Sequence, residues 1–477
     1  MEVGAKADSP GSSSVSSIER RKRAPRNKEV SIRLLVTSFR LRHTDGVSVE
    51  ATKAERIFAG WGWEIVELAG EYGHAVGRTS PCEPLPALEV GESVIAQVCI
   101  PELSIAAAAP LKSEGLWEGK TPRIYRDPTA ADLQRLKISL RNCFDAYLPD
   151  AVLVENVFGL PLNPLFAEAL RDVLIETGRP ALIRHHDLAW QREEFHFSRL
   201  HQSLRARFEE LYPPRLENAV HIVINSLSAG QLKERGFESL VIHNGFAIPE
   251  PEAALERAAH QKPAARRRLG IGDQTLLLVQ PTRAIERKGV PDAIAHGQKL
   301  ARSVSKEVVL LVCGPVEDGY ERPLKKLLRE VDAVDVKDAQ ERRPSGASGG
   351  RGSFRMMLGR GELPIDLAYD AADFIVFPSN WEGFGNPVIE SVMWAKPLVA
   401  RRYPVMNELE ATGLRFIPWD PDPVRGVMAW LEKDELSKRE ALIANLEVAR
   451  RCFSLEVLEK KLLVACEKAG VRIRGER

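Results

Sequence analysis

Short apolar runs alternate with longer stretches in which apolar residues recur every three or four positions. The run "VSIRLLVTSF", starting at Val30, is rich in Val, Ile and Leu and reads as a buried strand. A polar turn, "RLRHTDGVSVE", and a helix-like "VEATKAERIFAGWG" follow, and "WEIVELAG" reads as a second strand. Strand, loop, helix and strand in that order begin a parallel α/β sheet. The pattern continues with "DAVLVEN" (Asp150 to Asn156) and "PALIRHHD" (Pro180 to Asp187), two strands that end in polar residues. Between them lies the helix "NPLFAEALRDVLIETG", with Pro164 near its start and Gly178 past its end, the usual helix punctuation. "AVHIVINS" and "LVIHNG" are further strands. The Pro-rich region from Gly70 to Asp132 reads as loops with some helix.

A Pro-, Glu- and Ala-rich stretch, "FAIPEPEAALERAAHQK", then interrupts the pattern and reads as an interdomain linker. A second α/β series follows it. "QTLLLVQPTR", "EVVLLVCGP", "DFIVFPS" and "KPLVAR" are its strands; "GVPDAIAHGQKLARS", "LPIDLAYDAA" and "NPVIESVMWA" are its helices. "RRPSGASGGRGS" (Arg342 to Ser353) reads as a flexible loop, and Leu455 to Gly470 as an amphipathic helix. The predicted organisation is a tail over 1–29, an α/β domain over 30–245, a linker over 246–264, an α/β domain over 265–454 and a C-terminal helix over 455–477.

The totals fit this picture. A length of 477 residues is too great for one ordinary core. An apolar fraction of 44% and a charged fraction of 28% are those of a soluble globular protein. A net charge of +1 argues against nucleic-acid binding over the whole surface. The six cysteines form no CxxC pair and have no histidine cluster beside them, which argues against a zinc site or disulfide framework and for buried free thiols in a reducing, cytoplasmic compartment. No apolar run is long enough for a transmembrane segment, and the N-terminus lacks a signal-peptide core. The Ser-rich start reads as a disordered tail. Glu2 and Asp8 are unusual in a transit peptide, and "RRKR" is either a nuclear signal or a solvated charge run.

Parallel sheets bind ligands at the C-terminal ends of their strands, so the chemistry is sought there. In "VQPTRAIERKG", Arg283 and Lys288 stand five positions apart after a strand. Two cations converging there suit a diphosphate; with Arg287 also charged, a solvated loop is the alternative. In "NWEGFGNPVIE", Glu382 sits on a strand-end loop, and Gly383 and Gly385 permit close backbone approach or positive φ. Helix-start amides near Pro387 can bind an anion. Glu390 lies one turn further on, and a carboxylate accepts two hydroxyl donors at once, as a ribose diol offers. Read blandly, the same residues are a loop acid, a helix-surface acid and a glycine turn.

Glu382-Gly-Phe-Gly…Glu390 resembles the EX7E motif of the retaining glycosyltransferases of family 4, which have the GT-B fold: two Rossmann-like α/β domains facing each other across a cleft. Arg283 and Lys288 match that family's Arg-x4-Lys donor-phosphate pair. The resemblance implies transfer of a hexose from a nucleotide sugar, UDP- or GDP-linked, to a hydroxyl acceptor with retained anomeric configuration. It assigns Arg283 and Lys288 to the leaving diphosphate, Glu382 to the donor sugar and Glu390 to the ribose, with the backbone of Gly383, Phe384, Gly385 and Asn386 against the donor. Gly46 would lie in the glycine loop after the first strand, and His186, or else His185, near the reacting sugar. Glu408 stands where the family's later glutamate is expected. Here the phosphate loop lacks the glycine many relatives carry before the arginine, and one glycine stands where many have two. The acceptor, whether a small polyol, glycan or lipid-linked group, does not carry over. No metal-binding DxD motif occurs in a suitable strand-end context, so neither metal nor cofactor is expected. The rival readings are a non-catalytic glycosyltransferase-like binding protein and a nucleotide-sugar 2-epimerase of the same fold.

Overall fold

The computed structural model describes residues 31–43, 45–73, 93–108, 130–192, 195–199, 202–317, 319–336, 352–361 and 363–471. The tail expected over 1–29, Cys82, and most of the Pro-rich stretch and of the Gly/Ser-rich loop lie outside them.

The first sheet comprises β1 (Arg33–Leu41), β2 (Glu64–Tyr72), β3 (Val94–Cys99), β4 (Ala151–Glu155), β5 (Ala181–His185), β6 (Ala219–Val223) and β7 (Ser239–Val241), in the order β3-β2-β1-β4-β5-β6-β7. The second comprises β8 (Leu276–Gln280), β9 (Val308–Val312), β10 (Ala333–Asp335), β11 (Phe354–Leu358), β12 (Phe374–Phe377), β13 (Leu398–Ala400) and β14 (Ile417–Pro418), in the order β10-β11-β9-β8-β12-β13-β14. Every pairing is parallel; Leu34, for example, lies opposite Ile65 on one side and Ala151 on the other. Helices cover both faces, so β4, β5, β8 and β9 are buried at every position and read as unbroken apolar runs. Strand order reverses between β1 and β4 in one sheet and between β8 and β12 in the other. These switch points open the crevices in which α/β sheets hold ligands.

Two stretches differ from expectation. β3 lies in the stretch expected as loops with some helix: its apolar residues, Val94, Ile95, Ala96, Val98 and Cys99, sit among prolines and at a sheet edge, where positions alternate between half-buried and exposed. The stretch expected as a linker, 246–264, is largely the helix Pro251–Arg268. Proline at its first turn and alanines along it favour helix despite Pro263 within, and Ala254 and Ala265 join the second domain's core. The thiol expectation needs one correction: Cys143, Cys313 and Cys466 are buried, but Cys99 on the edge strand is exposed. No described helix is long and apolar enough to cross a membrane.

The chain passes between the domains at Phe246 and again at Ser454, and the two passages are bonded to each other. Phe246 N–H donates to Phe453 O at 2.9 Å and Leu455 N–H to Phe246 O at 3.1 Å. After the second passage, the helix Leu455–Lys468, capped by Ser454, lays Leu458, Leu462, Ala465 and Cys466 onto Leu34, Val36, Leu153 and Leu182 of the first sheet.

Candidate functional site

At the second sheet's switch point, the loops after β8 and β12 cross. A single helical turn, Glu286–Lys288, follows β8; Gln280 holds it by donating to Lys288 O at 2.9 Å. It ends at Gly289, in the left-handed region at φ 66°, where an added Cβ would lie 2.5 Å from Pro378 O of the β12 loop. Only glycine allows the loops to come this close. The approach brings Lys288 Nζ into hydrogen-bonded contact with Glu382 Oε1, while Arg287 Nη1 reaches Glu382 Oε2 at 3.2 Å and Trp381 O at 2.8 Å. Lys288 and Glu382 are both buried. Burial pulls the Lys288 ammonium down to about 8, with Glu382 opposing and Arg287 and Arg283 reinforcing the fall. Burial pushes the Glu382 carboxyl up, but Lys288 and Arg287 outweigh it and hold the acid below its ordinary range.

Arg283 stands at the edge of this cluster, half-exposed and paired with Glu317 at 2.6 Å on the loop after β9. Glu390 is not part of it: its Oε2 accepts from Tyr369 at 2.7 Å. The two acids of "NWEGFGNPVIE" therefore serve separate places, one among cations and one beside a buried tyrosine that stacks on Trp394. Gly385 takes φ 94° and precedes the helix Asn386–Met393; Tyr403 Oη lies 2.1 Å from where its Cβ would be. Gly383 has no positive φ and is needed for proximity instead. The Phe384 side chain packs into the core against Phe246 and Phe453, and its carbonyl accepts from Tyr403 at 2.8 Å.

The first sheet's switch point holds a different arrangement. Asp45 caps the helix Gly46–Gly60, so Gly46 is the first helical residue rather than a loop residue, with no atom within 4 Å of an added Cβ. One turn on, Glu50 meets Arg184 of β5 at 3.1 Å; Arg184 meets Glu155 at the end of β4 at 3.3 Å; and Glu155 Oε2 lies 2.8 Å from His186 Nε2. Glu50, Arg184 and Glu155 are fully buried and His186 nearly so. Burial pushes the Glu155 carboxyl up, but Arg184 and His186 prevail and hold it below its ordinary value. His185 turns the other way, stacked on His221 with a 3.0 Å contact between ring nitrogens, and burial drives its pKa well down. Of the two candidates, His186 is the one at the sheet edge nearer the other domain.

The domains meet here. An added Cβ on Gly383 would lie 2.7 Å from His186 O, and Asn225 donates to Gly383 O at 2.6 Å. Asn244 donates to Asn386 Oδ1 at 2.8 Å. Glu408 crosses to the first domain, accepting from Ser226 N–H, Ser226 Oγ and His243 Nε2, each at 2.7 Å. Sequence reasoning missed Arg287, Glu155, Asn225 and His243. Arg287 lies inside the quoted motif, and Glu155, Asn225 and His243 are polar residues at strand ends, the signal that could have found them.

Residues 261–447 match the model of glycosyl transferases group 1. Mannosylglucosylglycerate synthase of Thermotoga maritima is 27% identical over 345 residues, which cover 65% of this chain and 74% of that protein. The Petrotoga mobilis protein of the same name is 25% identical over 391 residues, covering 78% of this chain and 82% of that protein. Among solved structures, Anabaena HepE, determined with UDP and glucose, superposes with a TM-score of 0.59 over 91% of this chain and 99% of its own, at 14% identity. The fold is GT-B. Family match and curated relatives together support a glycosyltransferase.

Proposed function

We propose that this protein transfers a hexosyl group, with retention, from a nucleoside-diphosphate sugar to a hydroxyl of a small acceptor. The observation that carries the reading is the Lys288–Glu382–Arg287 cluster at the second sheet's switch point, whose chain neighbour Gly383 packs against the His186 carbonyl of the first domain. The buried Lys288 ammonium is held by the Glu382 carboxylate. A diphosphate would offer it the same kind of partner, with Arg283 and Arg287 adding charge to oppose the negative charge that builds on the leaving group. Glu382, released from Lys288, would then accept from donor-sugar hydroxyls, and Glu390 would take the ribose. Two curated relatives are named for the synthesis of mannosylglucosylglycerate, so a mannosyl donor and a glycerate-bearing acceptor are the first substrates in this reading.

Incubation with UDP-, GDP- and ADP-linked sugars, with and without glucosylglycerate, should release nucleoside diphosphate from one donor and yield an α-linked product. Absence of both binding and release across the panel overturns the reading; an inverted product overturns retention alone.

A further inference from the structure

The contacts around His186 reach beyond the ring itself. The end of β4 grips the residue at two points. Asn156, in the left-handed region at φ 61°, uses Oδ1 to accept from the His186 N–H at 3.0 Å and the Asp187 N–H at 3.4 Å. Glu155 takes the imidazole Nε2 at 2.8 Å. Nδ1 has no hydrogen-bond partner among the described residues, and it is not among their sealed-in polar atoms. Behind Glu155 runs a chain of alternating charge: the buried Arg184 and Glu50, then the half-buried Lys53, whose Nζ lies 2.6 Å from Glu50 and donates to Gly245 O at 2.7 Å beside the interdomain passage.

We infer that Glu155 is a positioning residue that fixes the tautomer of His186, with the proton on Nε2 and the lone pair on Nδ1 turned to the substrate. The inference rests on the placement of His186 near the reacting sugar. An ionised carboxylate only accepts, so a ring nitrogen hydrogen-bonded to it must carry the proton. A neutral imidazole bonded in this way has one acceptor left, Nδ1, which suits a sugar or acceptor hydroxyl that needs to donate. Arg184 fixes the arrangement from behind. Its guanidinium only donates, so it occupies Glu155 Oε1 and leaves Oε2 for the histidine. Such second-layer hydrogen bonds commonly decide which nitrogen of a histidine is available for chemistry.

Glu155→Gln makes the prediction specific. Arg184 would keep the amide oxygen, and the amide NH2 would face Nε2. The ring must then accept at Nε2 and carry its proton on Nδ1, which inverts the tautomer. The experiment is nitrogen NMR on the full chain with 15N-labelled histidine at neutral pH, with the His186 signals assigned by their loss in His186→Asn. The wild type should show Nε2 protonated and Nδ1 bare, and Glu155→Gln the reverse. In the same preparations kcat should fall on the order of 10- to 100-fold in Glu155→Gln, with the donor KM within about twofold of wild type. Glu155→Asp, which keeps an acceptor-only group, should retain the wild-type tautomer and recover part of kcat. A wild-type His186 carrying its proton on Nδ1, or on both nitrogens, overturns the inference even if Glu155→Gln fails to fold. A Glu155→Gln protein with inverted tautomer and unchanged kcat overturns the positioning role. A wild type with the expected tautomer but no transfer activity instead counts against the proposed function.

Discussion

The two switch points use charge in opposite ways. Around β4 and β5, Glu50 and Glu155 are matched by Lys53 and Arg184, all but the half-buried Lys53 are buried, and His186 is left at the end. Around β8 and β12, Arg283, Arg287 and Lys288 pair with Glu382 and Glu317 among the described residues, so a cation is in excess within this cluster. A balanced buried chain holds geometry, because removing either partner of any pair strands a charge in a dry place. An unbalanced cluster attracts an ion. Its signature is the ammonium of Lys288, pulled down to about 8 by burial while still in contact with a carboxylate. In the proposed function one domain would supply a wall and the other an anion clamp, on sheets built to the same plan.

The sharpest break in that contrast should come from the clamp's centre. Lys288→Ala and Glu382→Ala are each expected to reduce turnover at least about tenfold, the size of one lost charged contact of ~1.4 kcal/mol. Steady-state rates on the donor identified by the nucleotide-sugar panel check this, and wild-type rates in either variant would mean the clamp lies elsewhere.

Acidity offers a second route. Below pH 8 Lys288 is charged and, in the proposed function, would hold phosphate; above it the proton leaves, so the donor KM should rise, approaching tenfold per pH unit. Stability should move the other way. The unfolded lysine keeps its proton up to its ordinary 10.5, so between about 8 and 10.5 the unfolded chain binds more protons at this site and the folded state gains as pH rises. The burial penalty is fully present below 8 and gone above 10.5. Denaturation midpoints of wild type minus Lys288→Met across this range isolate that contribution, and a difference that falls with pH would contradict the burial of the charge.

Glu408 tests the junction of wall and clamp. Glu408→Gln weakens its acceptance from Ser226 and His243 and should cost about 1–2 kcal/mol of domain closure. Small-angle scattering should report a larger radius of gyration and kinetics a several-fold lower kcat/KM; an unchanged envelope would show that the contact is incidental. The smallest effect belongs to Arg283, half-exposed and already paired. Arg283→Ala should raise the donor KM only about two- to threefold at low salt and less at high salt, since exposed charges are screened.

Much of this was legible in the chain. Leu276–Gln280 and Phe374–Phe377 are apolar runs because helices bury both faces of their sheet, and their polar followers fall at the strand ends by necessity. Local order carried the motifs to the correct sheet edge. It could not pair Lys288 with Glu382, which depends on β8 and β12 becoming neighbours across the switch point. It undervalued Arg287, because a cation between two others looks solvated until a carboxylate from another loop is placed against it. The glycines split for the same reason. Gly385 announces a left-handed turn, but the need for Gly383 exists only because the other domain's His186 carbonyl lies 2.7 Å from where a Cβ would be.

The last helix covers part of the first sheet, and this imposes an order of assembly. The face formed by Leu34, Val36, Leu153 and Leu182 precedes the second domain in the chain, yet Leu458 and Leu462, which cover part of it, follow that whole domain. Until then the nascent first domain presents an uncovered oily surface, while the second domain can already close around its own core. Folding on the ribosome would thus return to the first domain after the second has been made, with this helix sealing the first domain and tying both chain passages together in one event.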